Sequence, residues 1–246
     1  MGLFNRKKPT VAIGKRNLFD CSASIRKENW FEVFSASLGK IAANQQACAE
    51  LVIKGRDWNV DFSAGTIAFG KDKYPLQFIG SESSASNSWL WGWENVNQLP
   101  DGILALAAQM QKAGEAWGLD VLTTPKFELT DTFNGHMLSI ITCALADKNI
   151  CYYRGPHANG TILVAFSDVP DAVFAPVDVH RFIEITMESI QSFRVDHKIF
   201  VESFLYQNGV SYDWENQSIV AHFAQTLRID FEQVEDMLRI SNIKTI

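Results

Sequence analysis

Cysteine is scarce in this 246-residue chain, and its four cysteines (Cys21, Cys48, Cys143 and Cys151) include no C-x-x-C pair. That argues against a disulfide framework and against a zinc site built on paired thiols. No apolar run approaches the roughly 18 residues that a membrane-crossing helix needs. The basic residues near the start are not followed by an apolar stretch, so a secretory signal is not expected. Arg6 stands where a myristoylation signal after Met1-Gly2 wants Ser or Thr. A reducing cytoplasm is therefore the expected compartment. Neither phosphate-cradling glycine pattern, G-x-x-x-x-G-K-[ST] or G-x-G-x-x-G, is present, and neither is H-E-x-x-H. The five histidines, His136, His157, His180, His197 and His222, are scattered. No metal ligand set, cofactor or catalytic residue is expected.

What the chain has in quantity is apolar and aromatic surface. It is 47% hydrophobic and 12% aromatic, with seven Trp and 17 Phe. Such a composition folds around a substantial core and excludes intrinsic disorder. Charge is segregated. Residues 1–56 hold ten Lys/Arg and four Asp/Glu, whereas the remainder holds twelve and 24. A body of net charge −12 disfavours nucleic acid as the main partner, because phosphate binding needs clustered basic charge. Arg6, Lys7, Lys8, Lys15 and Arg16 of the basic segment 1–28 can touch a phosphate or lipid surface, but a solvated, frayed terminus is the simpler expectation.

Periodicity predicts a mixed α+β fold. Trp30, Phe34, Leu38, Ile41, Gln45, Cys48 and Val52 recur at helical spacing, with Asn29 as cap. The period then drops to two, and strands at 58–62, 66–69, 74–80 and 87–94 predict an antiparallel meander. Helices are expected after Pro100, ending at Gly118, and over 131–147 behind Thr130. A hairpin is expected around the loop Gly155–Gly160. These elements make up an α+β domain over 29–166. A Pro- and Asp-rich linker follows at 167–178, and then a helical region over 179–246. That region is read as one long helix at 179–206 and two short ones at 216–227 and 231–240.

The densest feature is Ser88-Trp89-Leu90-Trp91-Gly92-Trp93-Glu94-Asn95. In a strand, Trp89, Trp91 and Trp93 share one face. Three indoles carry about 450–750 Å², as much as the roughly 300–600 Å² of the largest apolar patch on a typical monomer. The face is therefore core or an aromatic ligand platform, and burial favours core. Asn95 sits where the strand leaves the sheet and suits a turn. This stretch, with Phe78-Ile79-Gly80-Ser81 before it, Leu99-Pro100 after it and Tyr152-Tyr153-Arg154 later, resembles an uncharacterised bacterial family. That family carries a W-L-W-[AG]-W-x-N strand, a helix and a Y-R hairpin. The resemblance covers 29–166, and Glu94 stands where the family pattern has a small residue. It implies kinship and no chemistry.

Among the remaining residues, Arg154 is a candidate anion clamp, and Cys151 with His157 imitates a nucleophile–base pair that lacks an orienting group. Phe223, Leu227, Ile229, Val234 and Leu238 fit helix-turn-helix spacing. The second helix would present Glu232, Glu235 and Asp236, which repel phosphates and suit a basic protein. The function expected first is thus a non-enzymatic protein-binding module that masks a basic partner such as a toxin. The alternative is a small-molecule sensor or enzyme with its pocket between sheet and helices.

Overall fold

Asn29 opens the first helix, its side chain accepting from the backbone N–H of Phe31 and Glu32. The computed structural model describes residues 14–246; Arg6, Lys7 and Lys8 lie outside them. Helix α1 (Trp30–Cys48) runs on through one wider turn, Ala49–Ile53, and ends at Lys54, which adopts a left-handed conformation. The heptad-like spacing predicts one buried stripe, but both faces are buried. Phe34, Leu38 and Ile41 are covered, and so are Val33, Ala36, Ser37, Lys40 and Asn44. The cause is position: α1 is the central helix, packed by helices and sheet on several sides. Ser35 and Ser37 are accommodated there by donating to the carbonyls of Phe31 and Val33, as buried hydroxyls must find acceptors.

The strands follow the expected order. Strand β1 (Trp58–Asp61) pairs with β2 (Thr66–Phe69), and β2 pairs with the start of β3 (Asp72–Ser83). The end of β3 pairs with β4 (Ser88–Trp91), and β4 pairs with a short β5 (Lys126–Glu128). The hairpin of β6 (Cys151–His157) and β7 (Gly160–Phe166) joins through β7, which lies along β3. All pairings are antiparallel, and β3 is the common spine. Its register slips between Phe78 and Gly80, leaving Ile79 as a bulge residue. Alternation sends Phe78 into one apolar cluster, with Phe69, Leu76 and Phe166, and Ile79 into the other, with Trp89 and Trp91, and the slip turns Gly80 to the Trp89 side as well. A bulge bends and twists its strand, and here the sheet curls so that each face holds a core.

Helices α2 (Ala105–Trp117), α3 (Asp120–Thr123) and α4 (Gly135–Leu145) follow. The expected start of α4 behind Thr130 is corrected. Thr130 Oγ1 closes a turn onto Phe133 N, and Asn134 is the residue that caps the helix, accepting from Met137 N. The segment 171–174 forms a turn that buries Val173 and Phe174.

The long helix expected at 179–206 is two helices, α5 (Val179–Ser192) and α6 (His197–Asn208). The chain extends at Phe193, and Asp196 restarts the helix by accepting from Ile199 N. Gly39 of α1 lets α6 approach closely, since a Cβ there would stand 2.6 Å from Phe204 Cγ.

The C-terminal region is not helical beyond residue 208. Residues 210–246 form a second antiparallel sheet from β8 (Tyr212–Glu215), β9 (Ser218–His222), β10 (Thr226–Val234) and β11 (Met237–Thr245), in the order β11-β10-β9-β8. The helix pair at 216–227 and 231–240 is thereby corrected. Leu227, Ile229 and Phe231 also fit a period of two, and all three are buried while Arg228, Asp230 and Glu232 alternate with them. Alternation of that kind puts one face on a core and the other in water. The turns sit at Asn216 and Glu235, both at positive φ. The covered face of this sheet joins the same cluster as Trp89 and Trp91 through Ile219, Ala221, Leu227, Ile229 and Phe231. The molecule is a mixed α+β fold of two antiparallel sheets around a helical centre. Among the described residues, no helix is long and apolar enough to cross a membrane.

Candidate functional site

The tryptophan strand proves to be packing. Trp89 and Trp91 are 0% and 1% exposed and meet edge to face at 5.3 Å, so no platform surface remains on them. A Cβ at Gly80 would run into the Trp89 ring and the Leu90 carbonyl, so only glycine fits beneath that indole. Trp91 Nε1 donates to Val121 O at 2.9 Å. Trp93 lies outside the strand, which ends at Trp91; it sits in the tight turn Gly92–Glu94, half-buried and packed against the same core cluster. Asn95 is a turn residue at φ 49°, bonding the Leu99 N–H and carbonyl with its own amide.

Arg154 is drawn into a polar cluster on the sheet. Its Nη2 donates to Glu82 Oε2 at 3.0 Å, and Glu82 Oε1 accepts from Gly135 N at the start of α4. Beside it, Tyr152 Oη and His136 Nδ1 are 2.8 Å apart, and His136 stacks on Phe193. Burial, with Arg154 nearby, holds the His136 pKa below the usual histidine value. A cavity of about 220 Å³ opens among His136, Tyr152, Gln45, Gln46 and Phe193. Cys151 and His157 stand at opposite ends of β6 and form no pair. The Cys151 thiol is pushed up by the neighbouring Cys48 thiol and by burial, the opposite of what a nucleophile requires. Glu232, Glu235 and Asp236 sit on no helix: Glu232 is near the end of β10, and Glu235-Asp236 form the tight turn into β11, all exposed.

The larger site lies between α6, β8 and residues 16–22. On a helix, positions four apart share a face; on a strand, positions two apart do. Lys198 and Glu202 of α6 thus face Tyr212 and Trp214 of β8. Glu202, only 2% exposed, is held by three donors. Tyr212 Oη (3.1 Å) and Trp214 Nε1 (2.9 Å) donate to Oε1, and Lys198 Nζ (2.6 Å) donates to Oε2. A buried carboxylate is tolerated only when its acceptor sites are satisfied in this way. The Ser22 hydroxyl completes the chain by bonding Tyr212 Oη. Burial raises the Tyr212 pKa to about 12, which keeps the phenol a donor. Asp213, between the two aromatics, points outward to His222 at 2.8 Å. Phe231 lies against the Trp214 ring, and the Lys198 ammonium lies 5.5 Å from its centroid.

Ser22, Lys198, Glu202, Tyr212, Asp213 and Trp214 line a cleft of about 1010 Å³ whose walls also include Arg16, Tyr206, Val210, Ser211, Asn216 and Leu238. Arg16 is fixed there, its Nη1 donating to Tyr206 O at 2.9 Å and its guanidinium 5.1 Å from the Tyr206 ring centroid. Sequence reading missed Glu202 because it lies among Phe200, Phe204 and Leu205, and nothing local marks a carboxylate in such a stretch as buried. The available signal was Tyr212-x-Trp214, two large aromatics at strand spacing. Among the described residues, no group of three or more His, Cys, Asp or Glu is arranged to hold a metal.

No curated protein and no solved structure matches the chain. Residues 32–169, which contain the tryptophan strand and the Arg154 cluster but not Arg16, Glu202 or Trp214, match a family model, and the chain belongs to that family, DUF6882, a family of unknown function.

Proposed function

We propose that this chain is a small-molecule-binding protein whose ligand occupies the cleft between α6 and the C-terminal sheet. The observation that carries the reading is the cleft of about 1010 Å³ built over Glu202, a buried carboxylate already locked by Lys198, Tyr212 and Trp214. Its size is near the upper end of ligand pockets, roughly 300–1,000 Å³, and it combines apolar walls with a few fixed polar groups. The side chains are held by one another before any ligand arrives, which lowers the ordering cost of binding. A metabolite library screened by thermal shift tests this. A binder raises Tm in the parent protein and does so less in Trp214→Ala. A flat screen, or shifts indifferent to Trp214, counts against the reading.

A second reading rests on the β10–β11 hairpin. Glu232, Glu235 and Asp236 are exposed, and none takes part in an ion pair among the described residues. Three such carboxylates suit docking of a basic protein, a toxin being one candidate. Capture of a basic partner that weakens with salt and is lost in a Glu232→Gln, Glu235→Gln, Asp236→Asn variant supports it. Capture that is indifferent to both tells against it.

A further inference from the structure

We infer that the ligand of this cleft is an organic oxyanion, a carboxylate or phosphate ester, seated between Arg16 and Lys198. The inference rests on the small-molecule reading above and deepens it.

Formal charge in the cleft wall is balanced, with Arg16 and Lys198 against Glu202 and Asp213. Hydrogen-bonding capacity is not balanced. Glu202 Oε1 already accepts twice and Oε2 once, and the Asp213 carboxylate is turned to His222 at the rim. Glu202 is buried and offers a ligand little, so the free acceptors at the wall are the second oxygen of the exposed Asp213 carboxylate and the Asn216 amide oxygen. Donor capacity is plentiful. Among the described residues Arg16 uses only Nη1, towards Tyr206 O, which leaves its Nε–Nη2 edge open. That edge is the planar fork that fits a carboxylate or phosphate through two parallel bonds. Lys198 uses one of its three ammonium donors on Glu202, and the Ser211 hydroxyl adds another at the wall.

A wall with more free donors than free acceptors favours a ligand rich in acceptors. The remaining surface, Val210, Leu238 and the edges of Tyr206 and Trp214, calls for an apolar body attached to that oxyanion. The Trp214 ring carries Phe231 against it and Lys198 near its face, so the body meets ring edges and not an open stacking face. Glu202 is a positioning residue here: it fixes Lys198, Tyr212 and Trp214 and is itself buried.

The experiment is a nitrogen-resolved NMR titration of the full chain that follows the Trp214 indole N–H signal, assigned by its loss in Trp214→Phe. The probes are benzoate, phenyl phosphate and benzamide, which share a ring and differ in charge. Benzoate and phenyl phosphate are expected to move the signal at concentrations about tenfold lower than benzamide, in keeping with charge-assisted pairing. Arg16→Gln is expected to raise the dissociation constants of both oxyanions about tenfold and leave benzamide unchanged, with Arg16→Lys in between. Lys198→Gln is the second variant, informative if Arg16→Gln fails to fold. If benzamide binds as tightly as benzoate, or if both variants leave the oxyanions unaffected, the oxyanion inference is overturned while the cleft keeps its small-molecule role. If no probe moves the signal and the metabolite screen is also flat, both fall.

Discussion

Trp91 and Trp214 each donate an indole N–H, but to different kinds of acceptor. In the sheet shared with the family, Trp91 bonds a backbone carbonyl of Val121 and is otherwise packed by side chains. In the C-terminal sheet, Trp214 bonds the carboxylate of Glu202 at the wall of an open cleft. Lysines show the same contrast. Lys40 in α1 is buried and, among the described residues, donates only to the neutral carbonyls of Phe174 and Ala175. Lys198 faces a carboxylate and a cleft. The first region uses polar atoms to complete a core; the second uses a core-like environment to hold polar atoms in place. Rigid aromatic content is therefore a poor guide to accessible surface, because in Trp89 and Trp91 it lies where nothing is accessible.

Four measurements test how far that contrast goes. The largest effect is expected from Trp89→Ala, which empties a fully buried site and should cost about 3–5 kcal/mol in denaturant unfolding; a loss below about 1 kcal/mol would deny Trp89 its role in the core. Glu202→Gln should cost less, about 2–3 kcal/mol, because Lys198 is left unpaired but can reach water. Calorimetry of Glu202→Gln, Lys198→Met and the double variant should show non-additivity, and strict additivity would mean that the pair is not coupled.

Third is a pH effect from two buried lysines. Burial lowers Lys15 and Lys40 to about 8 from the ordinary 10.5. Between those values the unfolded chain binds more protons than the folded one, so stability rises with pH. The rise should amount to about 2 kcal/mol per lysine from about pH 8 to about 10. Within the same window it is opposed by Cys143 and Cys151, whose raised pKa makes stability fall as the unfolded thiols ionise from their ordinary value of 9.0, and above it by Tyr152 and Tyr212, whose raised pKa does the same as the unfolded phenols ionise. Lys40→Met should flatten the rise seen in chemical denaturation across that window, and an unchanged slope would remove Lys40 as its source. The smallest effect is expected at Asn95, where Asn95→Ala loses both amide bonds to Leu99 at a positive φ. It should lower stability by about 1 kcal/mol, with Asn95→Gly milder because glycine adopts a positive φ freely; equal losses would show that the backbone conformation adds no strain, and an unchanged stability in Asn95→Gly would show that the side-chain bonds contribute nothing.

The first region was largely legible from its residues. Period-three-to-four spacing located α1, alternation located β1 to β3, and Gly118 marked the end of α2, where it adopts a left-handed conformation. Local patterns announce such elements directly. The C-terminal sheet was not legible, because Leu227, Ile229, Val234 and Leu238 satisfy a helical template as well as a strand one. The arbiter was tertiary: β9 and β10 pair over Ser218–Asp230 in a register that no single segment encodes. The candidate site followed the same division. Asn95 sat in the turn its position suggested, whereas Glu202 depends on Tyr212 and Trp214 arriving from another element. Trp93 was read into the strand because the alternation continues in sequence after Trp91, whereas the backbone turns there.

Gly39 has a consequence for cooperativity. The boundary of the family match at residue 169 falls between α1 and the α6 that packs on it, yet Phe204 sits directly against Gly39 and is 0% exposed. Melting the C-terminal half would strip the central helix of a partner that its missing side chain was shaped to receive. The evolutionary unit and the thermodynamic unit are then not the same length, and heat or denaturant should find one transition across α1 and α6 rather than two.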